Sequence, residues 1–79
     1  MSTISIVGLG KLGASMVAAY ADRGFSVIGV DINEQVVAAI NQHVSPVPEA
    51  QVTELLQKNA ARVRATTDVR EAVLWSDIT

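Results

Sequence analysis

Short apolar runs alternate along the chain with longer segments in which apolar residues recur at helical spacing. β-branched residues are frequent in three of these runs, which predicts three buried strands. The runs lie at residues 4–7, 25–30 and 62–66. A helical pattern over residues 11–23 links the first two runs, and further helical patterns separate the second from the third. Because strands and helices alternate, the pattern predicts a parallel sheet with right-handed crossovers.

The connection between the second and third strands is predicted to carry a helix broken in two. Asn33 is a good N-cap for the first part, because its side chain can accept hydrogen bonds from the N–H groups that open a helix. The sequence SPVP at residues 45–48 interrupts the helical pattern, since proline cannot continue a helix. Val52, Leu55 and Leu56 then mark a second short helix.

The last predicted helix begins at a capping box. Asp68 is followed three residues later by Glu71, a pattern in which each side chain bonds the other residue's backbone N–H. The helix is expected to include Trp75 as an anchor for a core or an interface. Ile78 would begin a fourth strand. Residues 1–79 are therefore predicted to end before strand 4, with no complete second domain.

The composition indicates a small folded domain. The chain has 79 residues, 49% of them hydrophobic, and no cysteine, so neither disulfide bonds nor a thiolate metal site is expected. No apolar run approaches the roughly 18 residues that a membrane span needs. The net charge is −2 and the only basic cluster is Arg62 with Arg64, which argues against nucleic acid as a partner. A soluble, cytoplasmic protein is predicted.

Three glycines lie where the first strand is predicted to meet the first helix. Gly8, Gly10 and Gly13 match the pattern G-x-G-x-x-G, which is weak alone because turns use glycine freely. Gly8 would permit a sharp turn, Gly10 would let a pyrophosphate approach the helix start, and Gly13 would allow the helix to pack closely. Lys11 and Leu12 belong to the same predicted cofactor site, with the Lys11 side chain directed into solvent.

An acid closes the second predicted strand. Asp31 follows Gly13 at close to the roughly 20-residue spacing that is typical of dinucleotide binding. Its carboxylate would accept hydrogen bonds from the adenosine ribose hydroxyls and would repel a ribose phosphate. Ile32 also belongs to the predicted site. Neither Ile32 nor the two residues after it carry a positive charge. NAD is therefore favoured over NADP, and FAD is an alternative whose binding folds more often carry Glu at this position.

Thr66 and Thr67 complete the set of predicted cofactor residues. They end the third strand, at the carboxyl edge of the sheet where folds of this class bind ligands. Thr67 would serve equally well as a helix cap. No catalytic residue and no metal ligand is predicted in the chain. The alternative interpretation of the whole constellation is an ordinary α/β turn with an unrelated aspartate at a strand end.

Beyond the glycine turn, four short segments have a recognisable combination of residues. They are GVDIN at 29–33, SPVPE at 45–49, RATTD at 64–68 and AVLWSDIT at 72–79. Together they resemble the amino-terminal NAD-binding domain of the UDP-glucose and GDP-mannose dehydrogenases, the nucleotide-sugar dehydrogenase family. The resemblance implies half of a Rossmann fold, with a three-stranded parallel sheet in the order 3-2-1 and flanking helices. Residues 1–79 are thus predicted to be the amino-terminal part of a dinucleotide-binding domain.

The resemblance also implies an activity, which is the oxidation of the sugar's terminal alcohol to a carboxylate with two NAD consumed. That chemistry uses a cysteine nucleophile and further residues that the chain does not contain, so the isolated chain is expected to be inactive. A sugar nucleotide would bind only in the complete enzyme. Two alternatives are a non-catalytic module that binds NAD or an adenine nucleotide, and a homodimer formed through strand 1, which is an edge strand of the predicted sheet.

Overall fold

The computed structural model describes residues 2–76, which alternate between strand and helix as the sequence predicts. No helix within that range is long and apolar enough to cross a membrane. The fourth strand predicted at Ile78 lies outside the described residues. The elements in chain order are β1 (Thr3–Val7), α1 (Lys11–Asp22), β2 (Ser26–Val30), α2 (Glu34–Asn41), α3 (Ala50–Lys58), a 3-10 turn (Ala60–Arg62), β3 (Val63–Thr66) and α4 (Val69–Trp75).

The three strands form one parallel sheet in the order β1-β2-β3, with β2 in the middle. Val7 pairs with Val30, which in turn pairs with Thr66. The last residues of the three strands are therefore neighbours. This is the predicted strand order, and it brings the segments that follow the strands together at one edge of the sheet.

The two faces of the sheet are covered by different helices. On one face, α1, α2 and α3 form the main core with the strands, in which Ile6, Val27 and Leu56 are buried. On the other face, Ala72 of α4 packs against Ile28 and Val30. Because β2 is covered on both faces, its sequence is an apolar run without alternation, as is usual for a parallel strand.

The outer edge of β3 is occupied by a side chain. The Asn41 side-chain N–H donates to the carbonyl oxygen of Ala65 at 3.0 Å, and the Ala65 N–H donates to the Asn41 side-chain oxygen at 2.8 Å. A carboxamide carries one donor and one acceptor in the same arrangement as a peptide group. The last residue of α2 therefore pairs with the middle of β3 as a neighbouring strand would.

A buried asparagine joins the ends of α1 and α3. Asn59 is only 5% exposed, and its side-chain nitrogen donates to Asp22 Oδ1 at 3.1 Å and to the Leu55 carbonyl at 3.0 Å. Its side-chain oxygen accepts from Arg62 Nη1 at 2.8 Å. Lys58 Nζ lies 3.2 Å from the same Asp22 oxygen but is largely exposed. All polar atoms of the Asn59 side chain thus have partners inside the fold.

The start of α4 differs in part from the predicted capping box. Asp68 accepts hydrogen bonds from the N–H groups of Arg70 and Glu71, as predicted. The reciprocal bond is absent, because the Asp68 N–H donates to Thr66 Oγ1 and Glu71 lies 3.6 Å from Arg64. Trp75 was predicted to anchor a core or an interface; the core role is wrong, and the interface role stays a prediction. Trp75 is 65% exposed, with the Arg64 guanidinium carbon 5.2 Å from its ring centre.

Candidate dinucleotide-binding site

The glycine turn connects the carboxyl end of β1 to the first residue of α1. Gly8 has a φ of +90°, a backbone conformation that residues with a Cβ rarely adopt. Its N–H donates to the Val30 carbonyl at 2.7 Å, so the ladder between β1 and β2 continues into the turn. This hydrogen bond therefore fixes the position of the start of the turn relative to the end of β2.

Gly13 allows the first turn of α1 to lie directly against the chain that leaves β1. A Cβ atom at residue 13 would overlap the carbonyl oxygen of Gly8, and it would lie 2.9 Å from the Gly8 carbonyl carbon. Both obstacles are backbone atoms, which cannot move aside without moving the strand. The predicted role of Gly13 in close helix packing is thus met in the structure.

Gly10 is different from the other two glycines of the turn. Its φ is −68°, which any residue can adopt, and a Cβ built on it would meet no atom within 4 Å. Nothing in the part of the chain that the structure describes therefore requires glycine at this position. The space that a side chain would occupy lies open in front of the turn.

The helix that follows Gly10 begins without a side-chain cap. Asn33 and Asp68 accept hydrogen bonds at the starts of α2 and α4, whereas Gly10 has no side chain to do so for α1. The first-turn N–H groups of a helix have no partners within the helix, and the aligned peptide dipoles make that end partly positive. The start of α1 is therefore suited to an anionic group such as a phosphate.

Asp31 ties the end of β2 to the glycine turn. Its Oδ2 accepts a hydrogen bond from the Leu9 N–H at 2.8 Å, and its Oδ1 accepts one from the Asn33 N–H at 2.9 Å. These two bonds, with that from Leu9 the stronger, hold the pKa of the Asp31 carboxyl below its ordinary value. The side chain is thus a carboxylate at neutral pH. An ionised carboxylate offers about four acceptor positions, so about two are left for other hydrogen-bond donors.

Leu9 is a part of the site that the sequence pattern does not reveal, because it occupies a variable position of the glycine motif. Its side chain is completely buried in the core. It lies over Gly29, where an added Cβ would be only 2.7 and 2.9 Å from the two methyl carbons of Leu9. The missing side chain at residue 29 therefore provides the room in which Leu9 sits.

A cavity of about 410 Å³ opens at the carboxyl edge of the sheet. It brings together four of the predicted site residues, which are Gly8, Asp31, Ile32 and Thr67. Ile32 is 93% exposed beside the acid. Thr66 is not part of the lining, and its hydroxyl accepts the Asp68 N–H instead.

The other predicted residues lie on the neighbouring flank of the turn. Gly10, Lys11, Leu12 and Gly13 line a groove of about 700 Å³ between α1 and β1. Lys11 is exposed, as predicted, and Leu12 is 75% exposed. The sequence-predicted residues thus surround the turn from two sides.

The arrangement is suited to binding and carries little that could perform chemistry. The residues that line the carboxyl-edge cavity include one ionisable side chain, which is Asp31. Asp31 is bonded to the turn that leads to the partly positive start of α1, and it lines the cavity together with Thr67. Phosphate oxygens and ribose hydroxyls are the groups that such a combination recognises.

The chain matches the family model described as UDP-glucose/GDP-mannose dehydrogenase family, NAD binding domain, over residues 2–79. Among curated proteins it is 40% identical over 77 residues to the UDP-glucose 6-dehydrogenase AglM of Haloferax volcanii. It is 44% identical over 77 residues to the GDP-mannose 6-dehydrogenase of Pseudomonas putida. These alignments cover 96% and 95% of the chain, but 18% of each relative. The chain thus spans about a fifth of the length of the relatives it matches.

Solved structures agree with these similarities. The GDP-mannose dehydrogenase of Pseudomonas aeruginosa, solved as a ternary complex, superposes with a TM-score of 0.90 and 40% identity over the whole chain and 19% of that protein. A UDP-glucose dehydrogenase from Pyrobaculum islandicum superposes with a TM-score of 0.89 and 26% identity, again over the whole chain and 19% of the other protein. The predicted fold class, half of a Rossmann fold with a three-stranded parallel sheet, is confirmed.

Proposed function

Because this chain belongs to the UDP-glucose/GDP-mannose dehydrogenase family and matches its NAD-binding domain, we propose that it holds the adenosine and pyrophosphate part of NAD at the glycine turn. Gly8, Gly10 and Gly13 shape the turn, and the uncapped N–H groups at the start of α1 bind the pyrophosphate. Asp31 accepts hydrogen bonds from the adenosine ribose hydroxyls.

The observation that carries this proposal is the open space at Gly10. Gly8 and Gly13 each have a reason within the fold, since one has a positive φ and the other lies against backbone. Gly10 has neither reason. A glycine that the fold does not need, placed directly before an uncapped helix start, is what close approach of a phosphate to the backbone requires.

Asp31 determines which dinucleotide this site accepts. Its lowered pKa keeps it negative, and a negative carboxylate repels the additional phosphate on the ribose of NADP. Ile32 gives the adenine an exposed apolar surface next to this acid. Thr67 is a secondary contact in the same cavity. Lys11, Leu12 and Thr66 contribute to the site through their backbone rather than through their side chains.

For the complete protein we propose the reaction that the family resemblance implies. Two NAD would serve as the hydride acceptors, one for each two-electron step, as the terminal alcohol of a nucleotide-linked sugar is oxidised to a carboxylate whose second oxygen comes from water. The two curated relatives are named for UDP-glucose and GDP-mannose, so a sugar nucleotide of this kind is the proposed substrate. The catalytic groups belong to parts of the complete protein beyond this domain. We also propose that the complete protein is cytoplasmic.

Self-association is a second candidate function, favoured by an apolar stripe on α1. Leu12, Met16 and Tyr20 follow one another at four-residue spacing and are 75%, 38% and 36% exposed. They flank the groove beside β1, and we propose that a homodimer covers them. Sedimentation of the chain at increasing concentration tests this candidate, with Leu12→Glu as the variant expected to remain a monomer. A monomer at all concentrations would exclude it.

Titration of the chain with AMP and with NAD, followed by backbone amide NMR, tests the cofactor proposal. We expect shifts centred on residues 8–13 and 31–32. The decisive variant is Gly10→Ser, because serine is a favoured N-cap and should not destabilise α1. Its side chain would nevertheless fill the space in front of the turn, so nucleotide binding should be lost while the melting temperature is kept. Equal binding by Gly10→Ser and the native chain would contradict the proposed site.

A further inference from the structure

We propose that Leu9 and Gly29 act as a positioning pair that holds the glycine turn in its nucleotide-binding conformation before any ligand arrives. The inference rests on the proposed cofactor site and adds two residues to it. Neither residue is proposed to touch the nucleotide. Leu9 acts by fixing the turn, and Gly29 acts by making room for Leu9.

The side-chain contact between the two residues is steric. Leu9 has no exposed surface, and its methyl carbons lie 2.7 and 2.9 Å from the position that a Cβ of residue 29 would take, which is too close for two carbon atoms. A side chain at residue 29 would have to push Leu9 aside. Because Leu9 is completely buried in the main core, this movement would also displace its closely packed core neighbours.

A backbone hydrogen bond also holds Leu9 in place. The Leu9 N–H donates to Asp31 Oδ2 at 2.8 Å, and Asp31 follows Gly29 by two residues on the same chain segment. Leu9 is therefore attached to β2 twice, by its side chain over Gly29 and by its N–H to Asp31. Displacement of the side chain would break or lengthen the second attachment as well.

The residues beside Leu9 explain why this attachment matters for binding. Gly8 and Gly10 flank it, and glycine permits more backbone conformations than any other residue. A turn made of such residues binds a ligand weakly if it must first be ordered, because the lost entropy opposes binding. Leu9 is the residue of the segment 8–10 that is buried, and it holds both glycines in place.

A double-mutant cycle tests the pair. Gly29→Ala is expected to weaken AMP binding by about tenfold, which corresponds to a coupling of ordinary size between residues in contact. Leu9→Ala removes the atoms that the new methyl group would meet. In the Leu9→Ala background, Gly29→Ala should therefore change AMP affinity by less than about twofold.

Leu56→Ala is the matched control for Leu9→Ala. Leu56 is also a completely buried leucine of the main core, but it lies on α3, which contributes no residue to the lining of the carboxyl-edge cavity or of the groove beside the turn. Its truncation should lower the melting temperature and leave the AMP affinity of the folded protein unchanged. A purely structural role of Leu9 predicts the same behaviour for Leu9→Ala, whereas a positioning role predicts a loss of affinity.

A measurement without ligand separates this inference from the proposed function. The amide shift of Leu9 should titrate with the Asp31 carboxyl in the native chain, and Gly29→Ala should abolish or strongly reduce that dependence on pH. If the native chain fails to bind AMP, the proposed function fails, and the Leu9 titration alone decides about the pair. An unchanged titration in Gly29→Ala, or equal AMP affinity of Gly29→Ala and the native chain, would overturn the inference.

Discussion

Residue 13 lies so close to Gly8 that a methyl group in place of its hydrogen would overlap the Gly8 carbonyl oxygen. The contact joins the first turn of α1 to the end of β1. The three glycines of the turn have different reasons, because packing requires Gly13, a φ of +90° requires Gly8, and nothing within residues 2–76 requires Gly10. In this one sequence pattern, the fold requires Gly8 and Gly13, and we assign the requirement for Gly10 to a ligand.

Gly13→Ala should destabilise the protein by at least about 2 kcal/mol, because the added methyl group meets backbone rather than a movable side chain. Urea unfolding followed by circular dichroism would measure the change in the free energy of unfolding. Gly10→Ala is the control, with an expected cost of about 1 kcal/mol or less from a poorer N-cap. Similar costs for the two variants would refute the distinction between these glycines.

Stability should depend on the ionisation of Asp31 in acid. The hydrogen bond from Leu9, and then that from Asn33, lowers the pKa of this carboxyl in the folded state below the ordinary value of 3.8. The folded state therefore binds this proton less tightly than the unfolded state does. The stabilisation is complete above the unfolded-state pKa and is lost as the pH falls through the lower, folded-state pKa.

The native chain and Asp31→Asn should be compared by urea unfolding at several pH values from neutral to acid. The difference between their free energies of unfolding is expected to shrink below about pH 4. The pKa of Asp22 is also lowered, chiefly by its hydrogen bond with Asn59. Because both proteins contain Asp22, its contribution cancels in the difference between their free energies of unfolding. A difference that stays constant into strong acid would show that the bonds to Asp31 contribute no stability.

Asn59→Ala should cost about 2 kcal/mol of stability, since it removes a buried amide that links Asp22, Leu55 and Arg62. The control is Lys58→Ala. Lys58 approaches the same Asp22 oxygen from solvent, and an exposed ion pair contributes about 0–1 kcal/mol. Thermal unfolding of both variants would measure the contrast, and an equally large effect of Lys58→Ala would assign the link to charge rather than to the buried amide.

Asn41→Ala should both destabilise the chain and expose the outer edge of β3. The loss of two hydrogen bonds to Ala65 is expected to cost about 1 kcal/mol. The uncovered strand edge should also make the protein associate at high concentration. Light scattering during prolonged incubation would detect this association. Gln57→Ala removes an exposed amide from α3 instead, and it should behave like the native chain.

Much of this architecture could be predicted because its signals are local. Alternation of strand and helix patterns predicted the parallel sheet, and the family resemblance implied its strand order; the structure confirms both. Asn33 was recognisable as a cap from its position just before a helical pattern, and its side chain accepts the N–H groups of Gln35 and Val36. The glycine turn was recognisable because its spacing reflects the geometry of one strand and one helix.

Contacts between distant residues could not be predicted from such patterns. The bond from Leu9 to Asp31 spans 22 residues, that from Asn41 to Ala65 spans 24, and that from Asn59 to Asp22 spans 37. Each depends on how elements that are distant in the sequence are placed against one another, which no local pattern encodes. The capping box failed in part for a similar reason, because Glu71 has an opposite charge nearby in Arg64 of β3.

The side-chain amide of Asn41 also determines at which edge the sheet can be extended. A strand laid beside β3 would have to displace a side chain that already uses the central peptide groups of that edge. Any strand added by a longer chain or by another molecule would therefore join at the side of β1. The same side carries the start of α1 and the glycine turn. Extension of the sheet and completion of the nucleotide pocket are thereby confined to a single boundary of the domain.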